Sequence, residues 1–341
     1  LSLRCDSITF FSKEDRLEST GNPLIQDNDY QLNANRLIYF TELDSGIAIG
    51  DVTLLQNEQK IKADRLEYVK DSKSRAVSYR AIGNVEIIDS IRTAICGIAS
   101  YDAKNEEIIL NHKPRITSED RIIKGEQIKL NYTDEVLERI FIPKNAFITS
   151  ASVGYNQLII DSTNTLISCE DRLSSKVLNG FCVNGSLDSL RLIGMASTTY
   201  HLFEDSLYKG KNLTSGDTII MRFDEKDLDD IVVDGGSQGE YVPNKKTNDS
   251  DFPLIYSADR IDYFLKTETT KLIGNAKAKH ENTNLKAGLI EVNWPTRILN
   301  AFPKQPHDSI SQFIKPTIIE KGRDPMVGNE MTYNLDTKKG K

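Results

Sequence analysis

Several residue types and patterns that mark specialised protein classes are scarce in this chain. Its 341 residues include four cysteines and one tryptophan, and 43 Lys and Arg are outnumbered by 50 Asp and Glu, which gives a net charge of −7. Nucleic-acid binding requires clustered Lys and Arg, so no nucleic-acid partner is expected. The apolar runs, such as residues 158–160, span only a few positions, and no membrane-spanning helix is predicted.

The cysteines, at Cys5, Cys96, Cys169 and Cys182, are too few for a disulfide scaffold and lack the Cys-x-x-Cys spacing of common zinc sites. Cys169 and Cys182 lie 13 residues apart in a turn-rich stretch, where they could pair across two neighbouring strands. Burial of each as a small apolar side chain is at least an equal alternative. The cysteines therefore leave the redox compartment open.

The sequence patterns of common enzymes are also missing. The four histidines are far apart, and there is no Gly-x-Ser-x-Gly elbow, no phosphate-binding Gly-rich loop and no dinucleotide fingerprint. Parallel β-helix enzymes, the nearest enzymatic alternative, use shorter coils with clustered Asp or His ladders. The carboxylate-rich residues 224–230 lack the turn glycine and spaced ligands of a calcium loop and predict a solvated hairpin turn. We therefore expect no enzyme activity, no catalytic residues, no metal site and no cofactor. The histidines are His112, His201, His280 and His307.

Short segments in which apolar and polar residues alternate recur along the chain. Examples are residues 61–63, 85–87, 128–130 and 261–263, and Asn, Asp, Gly, Ser and Lys lie between such segments. This alternation is typical of strands with one buried face and one wet face. No stretch keeps the apolar spacing of an amphipathic helix, so the sequence predicts an all-β protein.

A six-residue pattern, a small residue, a polar residue and then alternating apolar positions, recurs at regular intervals. We call the second residue of each copy the anchor. The anchors are at positions 6, 35, 64, 97, 126, 259, 288 and 329, and four of the steps between neighbouring anchors are 29 residues. Such regularity indicates a repeat protein whose units stack on one another.

A second marker, Gly followed by Asn or Asp, lies 15 to 19 residues after several anchors, at Gly21, Gly50, Gly83 and Gly274. Gly and Asn tolerate backbone conformations that other residues avoid. The parity of the apolar positions also switches within a unit, between residues 61–63 and 64–68, which requires a bulge or corner. The expected fold is an elongated, folded-over two-sheet stack, a β-sandwich or a β-jellyroll, of strand–turn–strand repeats of about 29 residues.

The regularity of the repeats predicts three parts. Residues 1–242 form a repeat jellyroll that is less regular over 150–215, where residues 173–197 resemble one more unit with Gly194 as its marker. Residues 243–253 form a polar linker or loop, and residues 254–341 continue the repeats. Another anchor is expected at Gly216-Asp217, and a polar loop over residues 303–311.

Units of the form Ala-Asp-x-φ-x-Tyr followed by Gly-Asn-Val-x-φ (φ apolar), as in residues 63–68 and 83–87, resemble those of the OstA-like (organic solvent tolerance) family. That family comprises the periplasmic lipopolysaccharide-transport bridge protein and the N-terminal domain of the outer-membrane lipopolysaccharide-assembly protein. Residues 217–223, continuing to 231–236, are also similar to family members. The resemblance extends from Cys5 to Tyr333.

The resemblance implies a β-jellyroll that is open along one side and holds lipid A acyl chains in its apolar interior, with no catalysis and no cofactor. It implies three kinds of partner: lipopolysaccharide or a similar envelope glycolipid, other OstA-like jellyrolls joined head to tail, and the outer-membrane assembly barrel. It places the protein in the periplasm, associated with the outer membrane. The chain is about twice as long as a single bridge jellyroll, and the repeat is interrupted at both ends. We therefore expect a piece of a longer protein.

The inward positions that follow each anchor form an unbroken apolar series, which is the predicted lipid-binding interior. Two alternatives remain open: an interior that is packed solid by its own side chains, and a structural or adhesive cell-envelope repeat protein with no lipid ligand. The predicted lipid-binding residues are Ile8, Phe10, Leu37, Tyr39, Leu66, Tyr68, Val85, Ile87, Ile128, Leu130, Ile261 and Tyr263.

Overall fold

A computed structural model describes most of the chain and contains strands and turns. The described residues are 2–26, 30–56, 58–70, 77–118, 120–157, 164–225, 227–244, 252–303 and 315–341. They form 29 strands, and no helix that could span a membrane occurs among them. The all-β fold class is confirmed. The apolar run 158–160, residues 245–251 of the predicted linker and residues 304–311 of the predicted loop, which include His307, lie outside the described residues.

The strands are numbered in chain order. The first fifteen are β1 (Ser2–Arg4), β2 (Ser7–Phe11), β3 (Arg16–Thr20), β4 (Leu24–Gln26), β5 (Tyr30–Asn33), β6 (Arg36–Phe40), β7 (Ser45–Gln56), β8 (Gln59–Lys70), β9 (Val77–Ile88), β10 (Arg92–Asp102), β11 (Glu107–Asn111), β12 (Arg115–Ser118), β13 (Arg121–Lys124), β14 (Gln127–Thr133) and β15 (Val136–Ile142). The others are β16 (Ala146–Gln157), β17 (Asn164–Ser175), β18 (Val177–Val183), β19 (Ser186–Glu204), β20 (Leu207–Asp224), β21 (Asp227–Pro243), β22 (Leu254–Phe264), β23 (Thr269–His280), β24 (Thr283–Asn293), β25 (Ile298–Phe302), β26 (Thr317–Glu320), β27 (Met326–Val327), β28 (Met331–Asn334) and β29 (Lys339–Gly340).

The chain divides into two compact units. The first unit comprises Leu1–Ile148 and Phe181–Gly185, and the second comprises Thr149–Gly180 and Ser186–Lys341. In the second unit β21 pairs directly with β22, on either side of the predicted linker. The boundary between the two compact units does not coincide with the predicted linker. The division of the chain into three parts therefore stays a prediction.

Each long strand of the first unit belongs to two sheets at once. Residues 45–49 of β7 pair with β6, whereas its residues 53–56 pair with β5. The pairing of β7 with β8 shifts register at the same point, between Ile49 and Val52. Strand β10 behaves in the same way, since one half pairs with β11 and the other with β12. The unit is therefore a folded-over pair of antiparallel sheets, as the parity switch predicts.

The chemistry of the corner explains why a glycine follows several of the anchors. Gly83 has φ +77°, and a Cβ on it would lie 2.2 Å from Oδ2 of the anchor Asp64. Asn84 also has a positive φ, of 45°, and its Nδ2 donates to Asp64 Oδ2 at 3.0 Å. Only glycine fits the first of these positions, because the anchor side chain occupies the space of a Cβ.

The same arrangement recurs at other corners in both units. Each has a glycine with φ between +76° and +81° whose Cβ position is taken by the anchor side chain: Gly21 with Asp6, Gly50 with Asn35, Gly235 with Asp217, and Gly274 with Asp259. Gly194 (φ +77°) is a further corner, and its carbonyl accepts from the backbone of Lys176. The Gly-Asn marker, the anchor at Asp217 and the additional marker at Gly194 are therefore confirmed as structural corners.

The second unit uses the same topology with a densely packed interior. Strands β19 to β24 pair with their neighbours in chain order, and each pair shifts register at a corner. These ladders are antiparallel, and β16 and β20 form a parallel bridge between Tyr155 and Leu207. One cross-strand row, eight apolar side chains on successive strands, is at most 3% exposed. It consists of Leu192, Ile219, Val233, Ile261, Leu272, Ile290, Ala301 and Met331.

Two sequence predictions about local chemistry have clear outcomes. The acidic segment 224–230 contains the β20–β21 turn, where Asp224 pairs in register with Asp227, so the predicted hairpin is confirmed. Lys266 Nζ lies 2.7 Å from Asp224 and 3.2 Å from Asp229, which places cation charge beside these carboxylates. The four cysteines form no disulfide, and burial raises the pKa of the Cys96 thiol to about 11. Cys96 therefore behaves as a small apolar core residue.

Candidate functional site

The inner face of the first unit is lined by rows of side chains that face one another across paired strands. One row follows the register from Ile8 through Ser19 and Leu37 and on to Ile128. Beyond Ser19, this row is at most 7% exposed: Leu37, Ala48, Leu66, Ala81, Ala99, Leu110 and Ile128. Three alanines in the row leave space in the interior at those strands.

A second row, one pleat closer to the hairpin tips, is rich in tyrosine. It runs across Phe10, Leu17, Tyr39, Gly46, Tyr68, Tyr79, Tyr101, Ile108 and Leu130. Gly46 makes room for the ring of Tyr68, since a Cβ on Gly46 would lie 2.2 Å from that ring. The rings of Tyr79 and Tyr101 stack with centroids 5.3 Å apart. The row therefore forms an aromatic edge along the inner face.

The opposite sheet presents its own apolar row toward the same interior. This row is Leu3, Ile25, Leu32, Leu54, Ile61, Ile87, Ala94, Ile116 and Ile123. The two sheets are linked by a hydrogen bond, since the Tyr79 hydroxyl donates to Gln56 Oε1 at 3.0 Å. Burial raises the pKa of the Tyr79 hydroxyl, so this group remains a neutral donor at physiological pH.

A cavity of about 440 Å³ lies between the sheets, and we call it the slot. Its apolar wall is formed by Ile61, Leu66, Ala81, Ile87, Ala99 and Ile108. Its polar rim is formed by Gln56, Glu58, Gln59, Tyr79, Asp89, Ser90, Arg92 and Tyr101. Arg92 on this rim is paired with Asp89 at 3.2 Å. An apolar wall with a few polar rim groups and a volume within about 300–1,000 Å³ is typical of a small-ligand site.

Most of the predicted interior residues of the first unit face inward, with graded burial. Leu37, Leu66, Val85 and Ile128 are at most 7% exposed. Tyr39, Tyr68, Ile87 and Leu130 are half-buried at the edge of the interior. The outward positions Arg65 and Glu67, on either side of Leu66, form an ion pair at 2.6 Å. Only Leu66 and Ile87 of the predicted series line the slot.

Ile8 and Phe10 differ from the rest of the predicted series because they are 53% and 56% exposed. Their register places them on the inward rows, opposite Ser19 and Leu17. They lie on β2, whose ladder partner among the described residues is β3, so the row begins there and nothing described covers it. The predicted inward series therefore begins on a strand whose inner face is exposed, and the lipid-binding role of Ile8 and Phe10 stays a prediction.

Ile261 and Tyr263, the predicted residues of the second unit, lie in its packed core at 0% and 6% exposure. The Tyr263 hydroxyl lies 2.9 Å from Thr214 Oγ1 and 3.0 Å from the Tyr256 hydroxyl, which donates to Asn212 Oδ1 at 2.6 Å. This buried chain of hydroxyl groups joins the two sheets.

Sequence reasoning missed several residues of the slot. Tyr79 and Ala81 lie on β9 ahead of the marker Gly83, where no anchor occurs, and Ala99 lies two residues after the anchor Gly97 but was left out of the predicted series. Register places Ala81 opposite Leu66, Tyr79 opposite Tyr68 and Ala99 opposite Ala81, which brings all three into the slot. Aligning each alternating segment with the next one along the chain, by means of the 29-residue period, would have predicted these residues. No group of three or more metal-ligating side chains occurs in the part of the chain that is described.

A known protein family matches part of the first unit. Residues 42–136 match the model of a family described as LptA/(LptD N-terminal domain) LPS transport protein. This match confirms the OstA-like resemblance. Every residue of the slot, from Gln56 to Ile108, lies inside the matched segment.

Two further comparisons add little to this assignment. None of the curated proteins matches the chain. A solved structure of LptH, the LptA-homologous periplasmic component of the lipopolysaccharide transport device of Pseudomonas aeruginosa, is similar at 11% identity, covering 40% of this chain and 78% of that one. Its TM-score is 0.19.

Proposed function

We propose that the first unit binds the acyl chains of lipopolysaccharide, or of a similar envelope glycolipid, and takes part in its transport to the outer membrane without catalysis. The observation that carries this proposal is the slot, an apolar cavity of about 440 Å³ inside the segment that matches a lipopolysaccharide-transport family. The corresponding location is the periplasm, in association with the outer membrane.

The physical basis of binding is apolar burial. Each CH₂ group that leaves water for the slot gains roughly 0.8 kcal/mol, so several acyl chains add up to stable binding without a specific polar contact. The alanines of the wall leave volume for such a chain, and the tyrosine edge offers broad apolar surface beside it. The half-buried Tyr68 and Leu130 would lie beside the bound chains.

The partner proposal follows from β2. Ile8 and Phe10 are exposed apolar residues on a strand at the end of the first unit's ladder, where another OstA-like jellyroll could add a strand. Such head-to-tail addition would continue the inward rows from one molecule to the next. The assembly barrel of the outer membrane is the expected end point of that path.

The alternative function, a structural or adhesive repeat protein with a solid core, is favoured by one observation in the second unit. There, Ile261 lies within a row at most 3% exposed, and Tyr256 and Tyr263 fill the interior with hydrogen-bonded side chains. We therefore assign lipid binding to the first unit alone and a structural role to the second.

Photo-crosslinking in cells that make lipopolysaccharide tests this assignment. A photoreactive phenylalanine at Tyr79 or Tyr101 faces the slot, and the same group at Arg80 is a matched control on the outward face of the same strand. Lipopolysaccharide adducts from Tyr79 and Tyr101 but not from Arg80 are expected. Equal labelling at Arg80, or no lipid adduct at either tyrosine, would favour the structural alternative.

Filling the slot provides a second readout. Ala99→Phe adds a ring to the slot wall and is expected to reduce crosslinking at Tyr79 at least tenfold while the protein stays folded. Arg80→Phe adds the same ring to the outer surface and is expected to leave crosslinking unchanged. If Ala99→Phe leaves crosslinking unchanged, the lipid does not occupy the slot.

A further inference from the structure

A cluster of cationic side chains lies at one corner of the first unit, away from the slot. A cavity of about 630 Å³ there is lined by Asn111, His112, Lys113, Pro114, Arg115, Lys124, Gly125 and Glu126. Lys113, Arg115 and Lys124 are exposed, whereas Pro114 and Ile116, which alternate with Lys113 and Arg115, are buried. We call this outward-facing cavity the corner pocket.

The corner pocket lies where the repeat departs from its own motif. At the regular corner, the anchor Asp64 places a carboxylate beside the marker Gly83-Asn84. Here the anchor is Gly97, and a Cβ on it would lie 2.8 Å from Cβ of His112, which leaves no room for an anchor carboxylate. His112 and Lys113 replace Gly-Asn and keep its backbone form, with φ of 63° and 58°. Lys113 therefore occupies the position of the marker asparagine, and the hydrogen-bonded carboxylate–amide pair seen between Asp64 and Asn84 is absent from this corner.

The one carboxylate of the pocket is already neutralised by other groups. Glu126 accepts from Lys144 Nζ at 2.9 Å and from Asn145 Nδ2 at 2.6 Å, so both of its oxygens are engaged. In the described part of the chain, none of the three pocket cations takes part in an ion pair. Three unneutralised cations therefore share one pocket in a chain whose net charge is −7.

Two contacts hold the pocket cations in place. Arg115 Nε donates to Thr117 Oγ1 at 3.2 Å, which orients the guanidinium and leaves its two terminal nitrogens available. Lys124 Nζ lies 5.9 Å from the ring centroid of Phe147. A planar arginine fork beside lysine point charges is the arrangement that suits the oxygens of a phosphate group.

We propose that the corner pocket binds the phosphate group of a small phosphorylated molecule, such as a sugar phosphate. A phosphate dianion would relieve the mutual repulsion of Lys113, Arg115 and Lys124 and accept hydrogen bonds from all three. Because these side chains point away from the interior, the site is independent of acyl-chain binding in the slot. The proposal therefore does not depend on the proposed function.

Isothermal titration of the whole chain with inorganic phosphate and with glucose 1-phosphate tests the site. The triple variant Lys113→Gln, Arg115→Gln, Lys124→Gln is expected to bind each probe at least tenfold more weakly than the unaltered protein. A matched control, Arg4→Gln, Lys104→Gln, Lys129→Gln, removes the same charge elsewhere on the first unit and is expected to stay within twofold. Equal thermal unfolding of the two variants shows that both are folded.

The two probes distinguish the source of the phosphate. Tighter binding of glucose 1-phosphate indicates a phosphate carried on a sugar headgroup, and equal binding indicates free phosphate; both results support a phosphate site. Absence of saturable binding by either probe would overturn the proposal, as would acetate binding as tightly as phosphate. An equal loss of binding in both triple variants would show a general charge effect and would also overturn it.

Discussion

At the residue scale, the corner glycine is the position where sequence and backbone are most tightly linked. Gly83 combines a positive φ with a Cβ position 2.2 Å from Asp64 Oδ2. Gly185, in a turn of the same unit, has nearly the same φ (+76°), but a Cβ there would meet its nearest neighbour at 3.7 Å. A side chain at Gly185 would meet backbone strain alone, whereas a side chain at Gly83 would also collide with the anchor. Comparing substitutions at the two positions therefore measures the two effects separately.

We predict that Gly83→Ala lowers the free energy of unfolding by about 2–5 kcal/mol, whereas Gly185→Ala lowers it by about 1–2 kcal/mol. Urea unfolding of both variants measures the difference. Adding Asp64→Ala to Gly83→Ala removes the colliding carboxylate and should restore part of the loss. Equal effects of the two glycine substitutions would show that the anchor contact does not determine the corner.

The buried tyrosines of the second unit make stability depend on alkaline pH. Burial raises the pKa of both Tyr256 and Tyr263 above the ordinary value of about 10, so the folded protein keeps protons that the unfolded chain loses. The stabilisation is therefore complete below pH 10 and is lost as the pH rises above it.

We predict that the double variant Tyr256→Phe, Tyr263→Phe shows a shallower loss of stability between pH 10 and pH 11.5 than the unaltered protein. Each tyrosine contributes up to about 1.4 kcal/mol per pH unit to the slope. At pH 7 the same variant should be about 1–3 kcal/mol less stable, because Asn212 Oδ1 loses its donor. Urea unfolding across this pH range measures both effects, and identical slopes would contradict the prediction.

At the element scale, β2 is the strand whose exposure most clearly suggests a partner. Its inward side chains Ile8 and Phe10 are more than half exposed, although the next positions of the same rows, Ser19 and Leu17, are buried or half-buried. An exposed apolar strand at the end of a ladder is a site for strand addition.

We predict that the apparent mass of the protein rises with concentration and that Ile8→Asp, Phe10→Asp abolishes this rise. Light scattering over a concentration series measures it. Thr9→Asp places the same charge on the outward face of β2 and should leave association unchanged. A mass that does not vary with concentration, or an equal effect of Thr9→Asp, would argue against association through this strand.

At the scale of the whole molecule, the two units share a topology but differ in how their interiors are filled. In the first, alanines at Ala81 and Ala99 line the slot; in the second, Ile261 and its row are at most 3% exposed, and the larger side chains of Tyr256 and Tyr263 are buried in the interior. A ligand of the slot would therefore stabilise one unit and not the other.

We predict that lipopolysaccharide slows amide hydrogen exchange in β8, β9 and β10 and leaves β22 and β23 unchanged. At a ligand concentration 100 times Kd, binding adds about 2.7 kcal/mol, which corresponds to roughly 100-fold slower exchange through opening of the first unit. Deacylated glycolipid serves as the control and should give no protection. Equal protection of both units, or protection by the deacylated form, would contradict acyl-chain binding in the slot.

Much of the fold was predictable from the sequence because its information is local. The alternation in residues 61–63 and 64–68, the anchor at Asp64 and the marker at Gly83 are read within one repeat, and each specifies a strand direction or a backbone conformation. The irregular region was less predictable, since Lys176 replaces the acidic anchor opposite Gly194. The sequence alone also placed Ile8 and Phe10 in the interior. Alternation of apolar and polar residues shows which face of a strand a side chain lies on, but it does not show whether another strand covers that face.

The sequence by itself determined the all-β class, the repeat and its corners, since these depend on side-chain parity and on residues that tolerate a positive φ. Only the tertiary structure decided which interior is open. The same inward pattern produces a slot around Leu66 and a solid core around Ile261, because cavity volume depends on the side chains that register brings opposite each other, Ala81 in one unit and Leu272 in the other. Those partners lie on other strands, beyond the reach of a local pattern.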